Sequence, residues 1–394
     1  MEMSKRTIIS IRAYVVSGGG ADYHDQGEEH WIVNQISTPM SLFPEYKQTR
    51  TSFGINALKT IVVEVEDNTG KVGFGISTGG YPAAWLVMNH IDRFIVGQNP
   101  SDIEKMWEQM YRGTLYYGRK GIVMNAISAV DLALWDLLGK IRNEPVYSMI
   151  GGKVRDELEF YATGPRPDLA KEMGFIGGKM PLVYGPADGE EGLKKNIEYA
   201  RKMREAVGDD FMLMWDCWMS LDLPYAKKLM HESEKLGMKW IEECFNPDDY
   251  WAYRDLKKAA GNTMMVTGGE HEATKYGFKM LIEMCDLDIL QPDVGWCGGM
   301  TELIKIGNLA EAAGKLVIPH GSGVYSHHYV ITKLSSPFTE CLMMAPKADK
   351  VLPQYYPLLL DEPVPVNGRL KVSDKPGFGV TLNRENLVEV KKEA

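Results

Sequence analysis

Apolar residues between positions 157 and 343 come in short runs, each followed by a stretch with helical spacing. The runs at 158–162, 178–183, 211–215, 239–243, 264–267, 287–291, 316–319 and 339–343 are strand-length and largely apolar, as buried strands require. Segments such as 192–206, 224–236 and 301–313 carry the helical pattern between them. Regular alternation of this kind predicts a parallel sheet. About eight units over one stretch of chain fit a TIM-type barrel. An open doubly wound sheet would show the same alternation, but no Gly-x-Gly-x-x-Gly follows its first strand.

The pattern before residue 150 differs. A strand is predicted near 7–16 and two more at 58–66 and 71–77, the latter pair joined by the turn residues Glu66-Asp67-Asn68-Thr69-Gly70. Helical stretches follow near 82–95, 102–111 and 123–138, and then Pro145 and Gly151-Gly152 punctuate the chain. The expected organisation is therefore an α+β unit over 1–150, a barrel over 151–345, and a tail over 346–394 that folds back on the first unit. Residues 17–56 carry no predicted element, and an irregular segment of that length is usually functional, often a lid.

Composition narrows the function. The 394 residues carry a net charge of −9, the wrong sign for a protein that must neutralise phosphates, so no nucleic-acid partner is expected. No long uninterrupted apolar run marks a membrane span, and the first residues lack the apolar core of a secretory signal. The five cysteines form no Cys-x-x-Cys pair and read as buried, reduced thiols, which places the expected location in the cytoplasm.

Barrel chemistry comes from the C-terminal ends of the strands. Asp216, Glu242 and Glu270 fall at the ends of the third, fourth and fifth predicted strands, so three carboxylates would converge on one point. Like charges brought together call for a cation, and oxygen-only ligands suit Mg²⁺ better than zinc. Glu243 competes with Glu242, because strand alternation lets only one of them face inward. Asp293 and His320 end the sixth and seventh strands, where a carboxylate can orient an imidazole as a general base. Glu340, on the eighth, is placed to hold or protonate substrate oxygens.

These motifs, read as Trp-Asp-Cys-Trp, Ile-Glu-Glu-Cys, Gly-Gly-Glu-His-Glu, Gln-Pro-Asp-Val-Gly-Trp and Pro-His-Gly-Ser, resemble the mandelate-racemase-like branch of the enolase superfamily. Tyr23-His24-Asp25-Gln26, residues 160–181 and Tyr325-Ser326-His327-His328 resemble the L-rhamnonate dehydratase family in particular. The resemblance implies a modified (β/α)₇β barrel under an α+β cap completed by the C-terminal tail. It implies one Mg²⁺ per subunit on Asp216, Glu242 and Glu270, His320 as base supported by Asp293, and Glu340 at the substrate. It further implies substrate contacts from His24 and Arg50 in the lid; His30, in the same segment, is the alternative to His24, and His271, directly after Glu270, is a further candidate for substrate contact. A large homo-oligomer such as an octamer is implied as well.

Two positions depart from the family pattern. Lys179 stands alone, followed by Met180-Pro181, where many relatives carry a Lys-x-Lys pair whose second lysine is an opposing base. Lys179 is left as a candidate for substrate or electrostatic support, and a two-base racemase is disfavoured. Gly323 replaces an expected serine close to His320, adding backbone freedom beside the base. His327 and His328 are adjacent on a predicted loop or helix, so their side chains diverge and structural roles are favoured. The expected reaction removes the C2 proton and the C3 hydroxyl of a six-carbon, 6-deoxy sugar acid and leaves a 2-keto-3-deoxy acid. L-Lyxonate, L-mannonate or D-gulonate are the alternative substrates, and a non-catalytic sugar-acid-binding barrel is the alternative of another class.

Overall fold

The computed structural model describes residues 6–17 and 23–393, so residues 18–22 of the expected lid lie outside the described residues. Strands β1 (Ile8–Val16), β2 (Thr60–Asp67) and β3 (Val72–Thr78) form an antiparallel meander. Asp67 closes its turn by accepting hydrogen bonds from the Thr69 and Lys71 N–H groups at 2.9 and 3.0 Å, while Gly70 takes the positive φ. A short helix in the lid, α1 (Trp31–Asn34), precedes β2. Helices α2 (Gly80–Asn89), α3 (Ile103–Thr114), α4 (Ile122–Arg142) and α5 (Val146–Met149) follow β3.

Helix α4 lies directly on β3. A Cβ on Gly73 or Gly75 would come within 2.3 Å of Ala133 O or 2.2 Å of Ala129 O, so both glycines are required by this close approach. α4 is long and apolar enough to cross a membrane, but its apolar positions are taken up by the core.

The alternating region forms eight parallel strands: β4 (Leu158–Thr163), β5 (Gly177–Pro181), β6 (Met212–Asp216), β7 (Trp240–Glu242), β8 (Met265–Gly268), β9 (Ile289–Leu290), β10 (Leu316–Val317) and β11 (Thr339–Leu342). Between them run α6 (Pro167–Glu172), α7 (Gly189–Val207), α8 (Leu223–Glu234), α9 (Tyr250–Ala260), α10 (Thr274–Glu283), α11 (Gly299–Ala312) and α12 (Gly323–Val330). The strands pair in chain order, and β11 returns to pair with β4. The sheet therefore curls into a barrel rather than reversing direction as a doubly wound sheet would. Among the described residues no ladder joins β10 to β11.

The tail does return, but with more regular structure than its prolines suggest. β12 (Arg369–Leu370) pairs antiparallel with β4, and β13 (Leu387–Val390) adds an edge to the first sheet beside β1. Between them the tail docks on the buried carboxylate of Asp136, which accepts from Phe378 N–H at 3.1 Å, Phe74 N–H at 3.0 Å and Lys140 Nζ at 2.6 Å. One side chain of α4 thus joins β3 and the tail.

His328 makes a second joint. Its Nδ1 accepts from the Tyr147 N–H at the start of α5 (3.1 Å), and its Nε2 faces Phe378 O at 3.2 Å. The neutral Nε2–H tautomer alone satisfies both contacts. Burial pulls the His327 and His328 pKa values down to about 3, which keeps both uncharged. A histidine whose folded-state pKa is depressed contributes stability that is present above about pH 6.5 and lost as pH falls toward the folded value. Wild-type protein should therefore lose unfolding free energy more steeply than His328→Gln between pH 6.5 and 4. Parallel denaturation-versus-pH curves would contradict this role.

Candidate active site

Three strand ends place the acidic groups. Asp216 pairs in register with Glu242, and Glu242 with Thr267, so the ends of β6, β7 and β8 are level, and Glu270 follows two residues beyond β8. Both Glu242 and Glu243 are buried. This corrects the expectation that only one could face inward. β7 stops at Glu242, and Glu243 adopts a φ of +43°, so strand alternation no longer applies to it.

The two glutamates have different partners. Glu242 accepts from the Lys179 ammonium on one oxygen, and from Trp240 Nε1 (3.0 Å) and Gln291 Nε2 (2.5 Å) on the other. Glu243 Oε1 lies 2.8 Å from His271 Nδ1, and His271 Nδ1 is 3.5 Å from Glu270 Oε1. Lys179 is fully buried, with Asp216 Oδ2 at 3.4 Å and Glu340 Oε1 at 2.8 Å in addition to Glu242. It points inward beneath the carboxylates.

The dyad is formed. His320 Nδ1 is 2.9 Å from Asp293 Oδ2, and Asp293 Oδ1 accepts from Gly295 N–H (2.7 Å) and from the Ser322 hydroxyl. His320 Nε2 faces the site, 3.6 Å from Glu270 Oε2. Burial alone would lower the His320 pKa, but Glu270, Glu340 and Asp293 outweigh it and hold the imidazole well above its ordinary value. Glu340 accepts from Gly321 N–H at 2.8 Å and from the Thr163 hydroxyl. Burial opposes its charge, yet Lys179 and His320 hold its carboxyl below the usual range.

The lid closes this arrangement. Arg50 is buried, with its guanidinium 3.7 Å over the Trp218 ring and Nη2 3.2 Å from His24 Nδ1. His24 stacks on Trp296, and burial together with Arg50 keeps it uncharged. Arg50, Asp216, Glu270 and His320 line one small cavity with Thr163 and apolar lid residues. His30 is not part of it: its Nε2 is 3.1 Å from Met344 O and its Nδ1 accepts from Ile32 N–H, so it fastens the lid to the loop after β11.

The structure places most of the expected residues close together, in two layers. Arg50, Asp216, Glu270 and His320 line the cavity; Lys179, Glu242, Asp293 and Glu340 lie buried around it, and His24 and His271 sit among Trp218 and Trp296. Lys179 reaches carboxylates rather than the cavity, which argues against direct contact with a substrate. Sequence reading did not single out Gln291 or Ser322, though both lie inside motifs it used, two residues from Asp293 and His320 respectively. Gly323 is more constrained than expected. It has a φ of +43°, and a Cβ there would come 2.8 Å from Glu362 Oε1, so the glycine fits a packed corner.

Burial and mutual repulsion push the Glu242 and Glu270 carboxyls above their usual range. Asp216 Oδ1, Glu243 Oε2 and Glu270 Oε1 are buried without a hydrogen-bond partner. Glu243, Glu270 and His271 also offer ligand atoms within 4.8 Å of one another. Unpaired acceptor oxygens among crowded carboxylates are what a hard divalent cation would satisfy, so the residues present fit Mg²⁺.

Comparison with known proteins points the same way. Residues 43–151 match the family described as mandelate racemase / muconate lactonizing enzyme, N-terminal domain, and residues 168–386 match the enolase C-terminal domain-like family. A Caldivirga maquilingensis protein that carries a provisional L-rhamnonate dehydratase name is 60% identical over 97% of this chain and 96% of its own length. The crystal structure of rhamnonate dehydratase from Gibberella zeae complexed with Mg superposes with a TM-score of 0.95 at 48% identity, covering 97% of this chain and 96% of that one. The 3,6-anhydro-D-galactonate cycloisomerase from Zobellia galactanivorans gives a TM-score of 0.77 at 29% identity, with 96% and 97% covered.

Because Glu270 and Glu340 hold the His320 pKa up, a cation on the carboxylates should bring it down. Adding Mg²⁺ to metal-free protein should shift the His320 titration, followed by imidazole NMR, toward lower pH. An unchanged midpoint would contradict the proximity of metal and base.

Proposed function

We propose that this chain, which belongs to the enolase superfamily, is a Mg²⁺-dependent dehydratase of a sugar acid, L-rhamnonate. The observation that carries the reading is the His320–Asp293 dyad facing buried carboxylates inside a cavity closed by Arg50. The 60% identity to the Caldivirga maquilingensis protein and the likeness to the Gibberella zeae enzyme support the choice of substrate.

Asp216, Glu242 and Glu270 would hold Mg²⁺, with Lys179, Trp240 and Gln291 orienting Glu242 from behind, as hydrogen-bonded partners of a ligating carboxylate do. When bound, Mg²⁺ supplies Lewis-acid stabilisation of the charge that develops on the substrate carboxylate as C2 loses its proton. His320 takes that proton at Nε2, the nitrogen directed into the site, while Asp293 at Nδ1 fixes the ring orientation and favours the imidazolium. Returned to the C3 hydroxyl, the same proton lets the hydroxyl leave as water. Arg50 offers a planar fork to substrate oxygens, and uncharged His24 beside it adds a hydrogen-bonding group without a competing cation. Lid residues over the cavity would exclude water, which would strengthen each of these interactions.

Lys179 acts as a counter-charge that favours the ionised forms of Glu242 and Glu340, not as a substrate contact or base. Its three carboxylate partners leave it protonated, so Lys179 is not available as a second base.

L-Rhamnonate supplied with Mg²⁺ should give a 2-keto-3-deoxy acid, detectable as its semicarbazone, and chelation should abolish the product until Mg²⁺ is restored. Full turnover by the metal-free protein would remove the metal from the account. Glu242→Gln should weaken Mg²⁺ binding far more than Glu243→Gln; the opposite order would transfer the ligand role to Glu243, whose Oε2 is buried without a hydrogen-bond partner. Arg50→Ala should fold normally and lose about 100-fold in kcat/KM, because it orients the substrate. Wild-type kinetics in that variant would take Arg50 out of the site.

A further inference from the structure

Lys120 lies in the short turn between α3 and α4, far from the barrel in sequence. Its Nζ is 2.8 Å from Glu272 Oε2, 2.7 Å from Asp248 Oδ1 and 3.2 Å from Tyr250 Oη. Tyr250 donates to the same Glu272 oxygen at 2.7 Å. These partners belong to two different loops. Asp248 and Tyr250 follow β7, whose end carries Glu242 and Glu243; Glu272 follows β8, in the turn that carries Glu270 and His271. A single cation from the cap therefore spans the two loops that present most of the acidic groups.

We propose that Lys120 is a positioning residue that fixes the spacing of these two loops so that their carboxylates can meet one divalent cation. The inference rests on the Mg²⁺ reading given above. Glu272 is buried and cannot relax easily. Its Oε1 accepts from Ala273 N–H at 2.8 Å, and the α10 backbone presses on it so closely that a Cβ on Gly277 would come 2.1 Å from Oε1. Among the described residues, Lys120 is the cation paired with this carboxylate. A buried charge that loses its partner is driven toward water. That movement displaces a residue two positions from Glu270, so the end of the loop that faces the metal shifts with it. Tyr250 couples the same disturbance to the loop after β7.

The test is a calorimetric Mg²⁺ titration of the full-length protein. Lys120→Met should weaken Mg²⁺ binding by about 10–100-fold, the usual effect of removing an outer partner of a metal site. Lys120→Arg, which keeps the charge and the reach, should stay within about 3-fold of wild type. At saturating Mg²⁺, Lys120→Met should regain most of its kcat, because the reacting groups themselves are intact. If Lys120→Met fails to fold, the double variant Lys120→Met/Glu272→Gln removes both charges and should still bind Mg²⁺ at least 10-fold more weakly. Wild-type Mg²⁺ affinity in Lys120→Met, or in the double variant when that is the one tested, would overturn the proposal and leave the dehydratase reading intact. If the wild-type protein itself binds no Mg²⁺, both fall together.

Discussion

Repulsion among buried carboxylates is the constraint on which the rest of this structure depends. Asp216, Glu242, Glu243 and Glu270 crowd the mouth of the barrel, and Glu340 approaches from the last strand. A low-dielectric site does not tolerate that charge unless cations surround it. Cationic groups approach from different places: Lys179 underneath, His271 at the Glu243 side, His320 toward Glu270, and Arg50 from the lid. What they leave over is a set of buried carboxylate oxygens, on Asp216, Glu243 and Glu270, without hydrogen-bond partners. Metal affinity and the basicity of His320 are consequently two expressions of one electrostatic balance.

That balance needs accurate placement, and the cap supplies it from several directions. Ser77, at the end of β3, donates to Gly295 O at 2.6 Å and so steadies the loop that carries Asp293. Trp31 and His30 hold Met343 O and Met344 O just beyond β11, the strand that carries Glu340. Trp107 and Ser128 hold the backbone of Gly298 at the start of α11. The lid residues Arg50 and His24 can then be positioned by aromatic faces, Trp218 and Trp296, that the barrel loops present. Cap and barrel each complete the other's half of the site.

Much of this was legible in the sequence because a barrel turns linear spacing into angular position. Acidic residues one strand–helix unit apart at strand ends must converge, which is why Asp216, Glu242, Glu270, Asp293 and His320 could be read together. Local backbone departures were not legible. Glu243 turns inward only because β7 ends one residue before it. Lys120 and Glu272 meet across about 150 residues, and nothing in either neighbourhood announces the pairing. Choosing His24 over His30 depended on which one the loop after β11 captures. β13 escaped notice because its Leu-Val-Glu-Val alternation is too short to stand out from a tail rich in turns.

The central claim is that one imidazole, His320, performs all the proton transfer at C2, since Lys179 is locked among carboxylates. Proton NMR of the substrate in deuterated water with Mg²⁺ tests it most directly. The account predicts that His320→Asn forms no 2-keto-3-deoxy product and exchanges no C2 hydrogen, and that wild-type enzyme never forms the C2 epimer. Deuterium entering C2 in the His320→Asn protein, or epimer appearing with the wild type, would contradict it by revealing a second base.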